Sequence, residues 1–207
     1  MPRPPRPKLS REAIARAALA LIDRDGSDGA SIRGVAERLG VHPTSLYNHV
    51  PSLAALIEDV RALVSARIDS TALRERPWED GLALWARSYR DAFRRHPKTI
   101  PLLMSHRSSA PLLMSQYEDF ACAAERVGWA SDDILPLLTA FESFILGSVL
   151  DMSGPRVMFD PTGQEEAVPR FAAAYATLEN HDPLDPVATR AFELGLALLI
   201  AGARPER

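Results

Sequence analysis

Thr44, Ser45, Tyr47, Asn48 and His49 place five hydrogen-bonding side chains within six residues, with no acidic residue among them. Hydroxyl, amide and imidazole groups at this density can bond phosphate oxygens and base edges, and the lack of carboxylates avoids repulsion from a polyanion. Bond-making chemistry is not indicated. The chain has no nucleophile–base spacing, Gly-rich phosphate loop or metal-ligand motif, so no catalytic residue, metal or cofactor is expected.

The elements that must hold these side chains are legible around them. Ile32, Val35, Ala36 and Leu39 recur at i, i+3, i+4 and i+7, the apolar stripe of a short helix, and Ser31 is its N-cap. Gly40 supplies the positive φ at which that helix stops. A second helix then begins with Pro43 in its first position, where a missing N–H costs nothing. Leu46 and Val50 face inward, which leaves the five polar side chains outward. Such a pair of helices is common in all-helical proteins. The preceding segment makes it more specific: residues 10–25 form a longer helix, capped by Ser10, with Ile14, Ala17, Ala18, Leu21 and Ile22 in register. It ends in the polar turn Asp25 to Gly29. Three helices of these lengths make a head whose third helix enters the major groove of double-stranded DNA.

The pattern around Ala13 to Leu21, then Ile32, Arg33, Val35, Ala36, Leu39, Gly40 and Val41, then Ser45, Leu46, Tyr47, His49, Val50 and Leu56, resembles the TetR family of bacterial transcriptional repressors over residues 9–60. Beyond that the resemblance is one of length and helical layout. It implies that Arg33 reaches a base or phosphate, that Thr44 and Ser45 contact the groove, and that Tyr47 and His49 bond phosphates. Asn48 belongs to the same surface. Two positions depart from the family's pattern. His42 stands where a capping Ser is frequent, so the cap of the recognition helix must be weaker or different. Pro51 to Ala54 replaces a stretch that commonly carries a phosphate-gripping Lys, which should flatten the salt dependence by about one phosphate.

Charge is divided along the chain. Net charge is −3, but residues 1–51 carry eight Arg/Lys against five Asp/Glu, while the remainder carries sixteen against twenty-two. A basic head on an acidic body points to nucleic acid at one end only. Residues 1–8, with Pro at 2, 4, 5 and 7, read as a flexible extended arm bearing Arg3, Arg6 and Lys8. It either lies along the DNA backbone or minor groove or serves only as a solubilising tail. The arm, a head over 9–52 and a body over 53–207 are the expected divisions. The N-terminus has no apolar signal segment, and the apolar run from Leu194 to Ala203 is too short to span a bilayer, so a cytoplasmic protein without membrane contact is expected. Cys122 is the single cysteine, which excludes an internal disulfide. Its Ala-rich surroundings suggest a buried thiol.

The fold class is all-α. Body helices are expected near 53–71, 78–95, 97–107, 111–128, 131–152, 165–180 and 186–203, with an irregular segment over 153–164. Trp85, Tyr89 and Phe93 share a helical stripe with Leu82. With Leu103, Met104, His106, Met114, Tyr117, Phe141 and Phe144, they supply the aromatic, sulfur and polar tips of a small-molecule pocket. Stripes of this kind are also ordinary core. By resemblance this region binds an effector, here a small apolar or aromatic one, that biases the head. Trp78 to Asp80 and Leu146 to Asp151 look similar to the tetracycline repressor branch, which holds a magnesium-bound drug through a His. Counting from Trp78 places Leu103 there, so tetracycline is not expected, and His106 and Asp151 are read as solvated side chains.

Two helices suggest self-association. The last is apolar nearly all round, with Gly195 and Gly202 seven apart. Together with Leu135, Leu138, Phe141, Ile145 and Val149 of the 131–152 helix, it is expected to build a four-helix interface in a homodimer. Two heads about one DNA turn apart would read a palindromic operator. The resulting expectation is a ligand-responsive repressor released from its operator by a small-molecule effector. A helical small-molecule-binding protein or enzyme, or a protein-binding adaptor, with a vestigial head stands as the alternative.

Overall fold

Local capping chemistry sets most of the head. In the computed structural model, which describes residues 9–152, 159–180 and 187–205, every regular element among the described residues is helical. Helix α1 (Arg11–Asp25) starts where the Ser10 hydroxyl accepts from Ala13 N at 3.2 Å, and a short 3-10 turn, Gly26–Gly29, follows it. Helix α2 (Ile32–Leu39) starts where Ser31 Oγ accepts from Gly34 N, and stops at Gly40, which is left-handed at φ 65°. Helix α3 (Pro43–Tyr47) follows after two residues. Ile14, Ala18, Leu21, Ile22, Val35, Ala36, Leu46 and Val50 are all buried between these helices.

Helix α4 (Leu53–Ser65) joins head to body by packing on α1 on one side and on α6 and α8 on the other. It ends short of residue 71, where a continuous helix was expected. Gln116 Nε2, reaching in from α8, donates to the carbonyls of Ser65 (3.0 Å) and Ile68 (3.2 Å). Asp69 then accepts from Thr71 N and starts a separate short helix, α5 (Thr71–Glu75). That helix is fastened to α8 by Asp119, which accepts from Ser70 Oγ and Arg74.

Helix α6 (Trp78–Arg94) is the central body helix. It contacts α4, α5, α8, α9 and α11. The expected 97–107 helix resolves into a 3-10 turn (Pro97–Thr99) and the short α7 (Ile100–Met104). Pro101 has no N–H to bond the Pro97 carbonyl, and Ser105 Oγ and His106 Nδ1 both turn back to the Leu102 carbonyl. Helices α8 (Pro111–Val127), α9 (Ser131–Asp151) and α11 (Val187–Gly202) complete the body. Helix α10 is Pro169–Ala176, followed by a 3-10 turn, Thr177–Asn180. It starts late because Pro169 fits only a first turn, and it buries none of its residues. Part of the expected irregular segment, residues 153–158, lies outside the described residues.

Trp85 sits at the centre of the core, with Phe120 at 5.2 Å, Tyr89 at 5.6 Å and Phe141 at 6.2 Å between ring centroids. Cys122 is exposed, not buried as expected, because it lies on the outer face of α8. Partial desolvation and the carboxylates of Glu118 and Glu125 push its pKa up, which disfavours the nucleophilic thiolate. Helix α9, with an 18-residue stretch of mean hydropathy 1.6, is long and apolar enough to cross a bilayer, although it contains no apolar run as long as Leu194 to Ala203. Its inward face nonetheless packs on α6 and α8.

Candidate DNA-reading surface and body cavity

The unusual cap of α3 is His42 itself. Its Nδ1 accepts from Thr44 N at 3.4 Å and lies 2.8 Å from Thr44 Oγ1. A backbone N–H can only donate, so this network assigns Nδ1 as the unprotonated nitrogen, with the proton on Nε2. An imidazole thus does the work of a capping hydroxyl. With Leu46 and Val50 held inside, Thr44, Asn48 and His49 are exposed, Ser45 is half-buried, and the Tyr47 ring is 53% exposed. Arg33 is exposed on α2. The stretch lacking the family's Lys serves as a cap instead, with Ser52 Oγ accepting from Ala55 N to start α4. Arg3, Arg6 and Lys8 lie outside the described residues.

A cavity of about 200 Å³ opens among α4, α6, α7, α8 and α9. It gathers Tyr89, Phe93, Leu103, Met104, His106, Met114 and Tyr117 from the expected set, and adds Arg61, Ser108, Leu113, Glu142 and Leu146. Trp85 and Phe141 are not in its lining. They are core residues, because their stripe is covered by Phe120. Phe144 is also elsewhere: it stacks on Phe192 at 5.4 Å, on the side of α9 that meets α11. Glu142 had one signal in the sequence, as the single charged residue between Ile134 and Leu150. Arg61, between Val60 and the apolar run to Val64, had a similar one.

Polar groups in the cavity are paired with care. The phenols of Tyr89 and Tyr117 both donate to Glu142 Oε1, at 2.8 and 2.7 Å. Burial, then the Glu142 charge, pushes both phenols above their ordinary pKa, so both remain protonated donors. Buried Arg61 donates to the carbonyls of Leu103 (2.5 Å) and His106 (2.8 Å) and faces Glu58 at 3.3 Å. His106 Nδ1 lies 2.9 Å from the Leu102 carbonyl, which assigns its proton to Nδ1. Asp151 lies at the far end of α9, away from His106. No group of three or more His, Cys, Asp or Glu positioned for a metal occurs among the described residues.

The cavity wall is mechanically joined to the head. Helix α7, which supplies Leu103 and Met104, continues directly from the Pro97–Thr99 turn that packs on α1. His96 Nδ1 lies 2.9 Å from Asp23, Lys98 Nζ donates to the Arg24 carbonyl, and Arg11 pairs with Asp59 on α4.

Exposed leucines also stand on two body helices. Leu135 and Leu150 on α9, and Leu194 and Leu198 on α11, stand 67%, 46%, 65% and 66% exposed. This corrects the expected dimer face. Leu138, Phe141, Ile145 and Val149 are buried in their own chain, and of that set only Leu135 points outward. Leu135 follows buried Ile134 and Leu150 follows buried Val149, so near each end of α9 one residue, about 100° of helix rotation, separates a covered side chain from an open one. Gly195 is likewise an internal contact, since a Cβ there would meet the Phe144 ring at 2.6 Å, whereas Gly202 is open.

Residues 14–60 match the family of bacterial regulatory proteins of tetR type, and residues 72–206 match the tetracyclin repressor-like C-terminal domain. The tetracycline repressor protein class A from transposon 1721 of Escherichia coli is 29% identical over 205 residues, covering 97% of this chain and 93% of that protein. The TetR family protein ActR of Streptomyces coelicolor, solved in complex with (S)-DNPA, has a TM-score of 0.74 at 22% identity over 94% of this chain and 96% of that one. A variant of TetR from Acinetobacter baumannii AYE in complex with minocycline has a TM-score of 0.69 at 24% identity, with the same coverage. The two solved structures share the fold.

Proposed function

The chain belongs to the tetR family of bacterial regulatory proteins, and from that premise we propose a homodimeric transcriptional repressor that a small molecule releases from a palindromic operator. The observation that carries this reading is the α3 surface, where His42 caps the helix while Thr44, Ser45, Tyr47, Asn48 and His49 stand clear of a fully buried Leu46 and Val50. Thr44, Ser45 and Asn48 meet base edges, Tyr47, His49 and Arg33 meet phosphates, and the arm with Arg3, Arg6 and Lys8 follows the backbone beyond. Residues 9–52 act as the head and 53–207 as the body, with α4 shared between their packing. The protein acts in the cytoplasm.

The outer stripes of α9 and α11 are the surfaces through which two copies pair. A shallow apolar groove of about 350 Å³ between the two helices, bounded by Phe144, Gly147, Ala188 and Phe192, has the shape to take a partner's side chains. Fold neighbours solved in complex with (S)-DNPA and minocycline support a small-molecule effector, and the body cavity is where we place it. An effector there presses on α7 and on Arg61 of α4; α4 bears on α1 directly and α7 through the Pro97–Thr99 turn. Ligand and DNA affinities are then reciprocally coupled.

Selection from random-sequence DNA at physiological salt is expected to recover a palindrome with half-sites about one helical turn apart. On that operator, Tyr47→Ala loses a charged hydrogen bond of about 1.5 kcal/mol per head, hence about a hundredfold for the dimer. Unchanged affinity in a gel-shift titration would displace α3 as the reading helix.

A further inference from the structure

Glu142 is a carboxylate in an aromatic cavity whose hydrogen-bond partners are both neutral. Its Oε1 takes the Tyr89 and Tyr117 phenols, and it forms no ion pair among the described residues. The one guanidinium in the lining does not balance it. Arg61 has Glu58 at 3.3 Å and gives Nη2 to the Leu103 and His106 carbonyls, so it and Glu58 offset each other. The phenols stay protonated and add no charge of their own. Glu142 is thus a carboxylate with no cationic partner at ion-pair distance, beside the rings of Tyr89 and Phe93 with centroids 5.2 Å apart and the ring of Tyr117.

Aromatic faces carry negative potential, and a cation over them gains most where water is excluded. We infer that the cavity recognises an organic cation, a protonated or quaternary amine on an apolar body, with Glu142 as its charge partner and Tyr89, Phe93 and Tyr117 as its walls. This rests on the reading of the cavity as the effector site. Leu103, Leu113 and Leu146 line the remainder and take the apolar body. A neutral molecule would leave the Glu142 charge unmatched, and an anion would face it directly.

Three probes of similar shape separate these cases in calorimetric titration of the full-length, DNA-free protein: benzyltrimethylammonium, its neutral isostere neopentylbenzene, and the anion phenylacetate. The ammonium should bind at least about tenfold more tightly than neopentylbenzene, and phenylacetate more weakly still. In Glu142→Gln, the ammonium should fall to within about threefold of the neutral probe. The proposal is overturned if neopentylbenzene or phenylacetate binds as well as the ammonium, if none of the three binds, or if Glu142→Gln keeps the preference. The comparison on the unaltered chain does not depend on any variant folding. Operator release is read separately. Glu142-dependent ammonium binding without release would remove the effector reading and leave the cation site, whereas release by phenylacetate alone would keep the effector reading and remove the cation site.

Discussion

Leu198→Asp is expected to convert the proposed dimer into monomers and to weaken operator binding about a thousandfold. Leu198 stands on the outer stripe of α11, with Leu194 one turn before it, and Leu135 and Leu150 are open leucines of α9. Helix α9 is apolar on more than its inward face, since Leu135 and Leu150 are exposed in the single chain. Pairing two copies through these stripes makes a four-helix packing, and symmetry places each substituted position twice in the interface. A carboxylate buried there without a partner costs several kcal/mol in each copy, against a pairing that must also overcome the entropy of association. Once the copies separate, each head must find its half-site alone. The loss is the effective concentration that tethering supplied, which typically multiplies affinity by 10² to 10⁴. Sedimentation velocity reads the first effect and a gel shift the second. A variant that still sediments as a dimer would move the interface elsewhere. The cavity lies within one chain, so probe binding there should survive the substitution.

The head was legible in the sequence because its determinants are local. Ser10, Ser31, Gly40 and Pro43 each act on backbone within a few residues, and the structure has each in the expected capping or turn role. His42 was the exception. Whether an imidazole caps a helix depends on its tautomer and rotamer, neither of which residue type reveals. The body was legible as helices but not in its joints. Helix α4 ends at Ser65 because of Gln116, fifty-one residues further along the chain, and no local signal carries that information. Periodicity has a related limit on α9. It identifies a stripe at Leu138, Phe141, Ile145 and Val149, but a helix apolar on two faces does not disclose which face its own chain covers and which is left for a partner. Glu142 belongs to the same class. Its role depends on two tyrosines from other helices, twenty-five and fifty-three residues away.

The stripe on α6 shows how core and site divide along a single helix, and it leads to the larger stability prediction. Trp85, Tyr89 and Phe93 share one face, yet Trp85 is only 2% exposed and surrounded by Phe120, Phe141 and Tyr89, while Tyr89 and Phe93 continue past that cluster into the cavity wall. Trp85→Ala removes an indole from the centre of the core and leaves a void that rigid neighbouring rings cannot fill. The expected cost is about 4 kcal/mol, which for a chain of this size lowers Tm by roughly 8 to 16 °C. Tyr89→Phe removes one hydroxyl and leaves Glu142 with the Tyr117 phenol, so its cost should be about 1 kcal/mol. Thermal unfolding of the two variants, each with and without benzyltrimethylammonium, separates the roles. Trp85→Ala should unfold early yet keep the stabilisation that bound ammonium provides, because the walls it leaves in place are the ones that hold the cation. If Trp85→Ala proved nearly as stable as the parent but lost that stabilisation, Trp85 would be a wall of the site and the boundary between core and cavity would have to move one turn along α6.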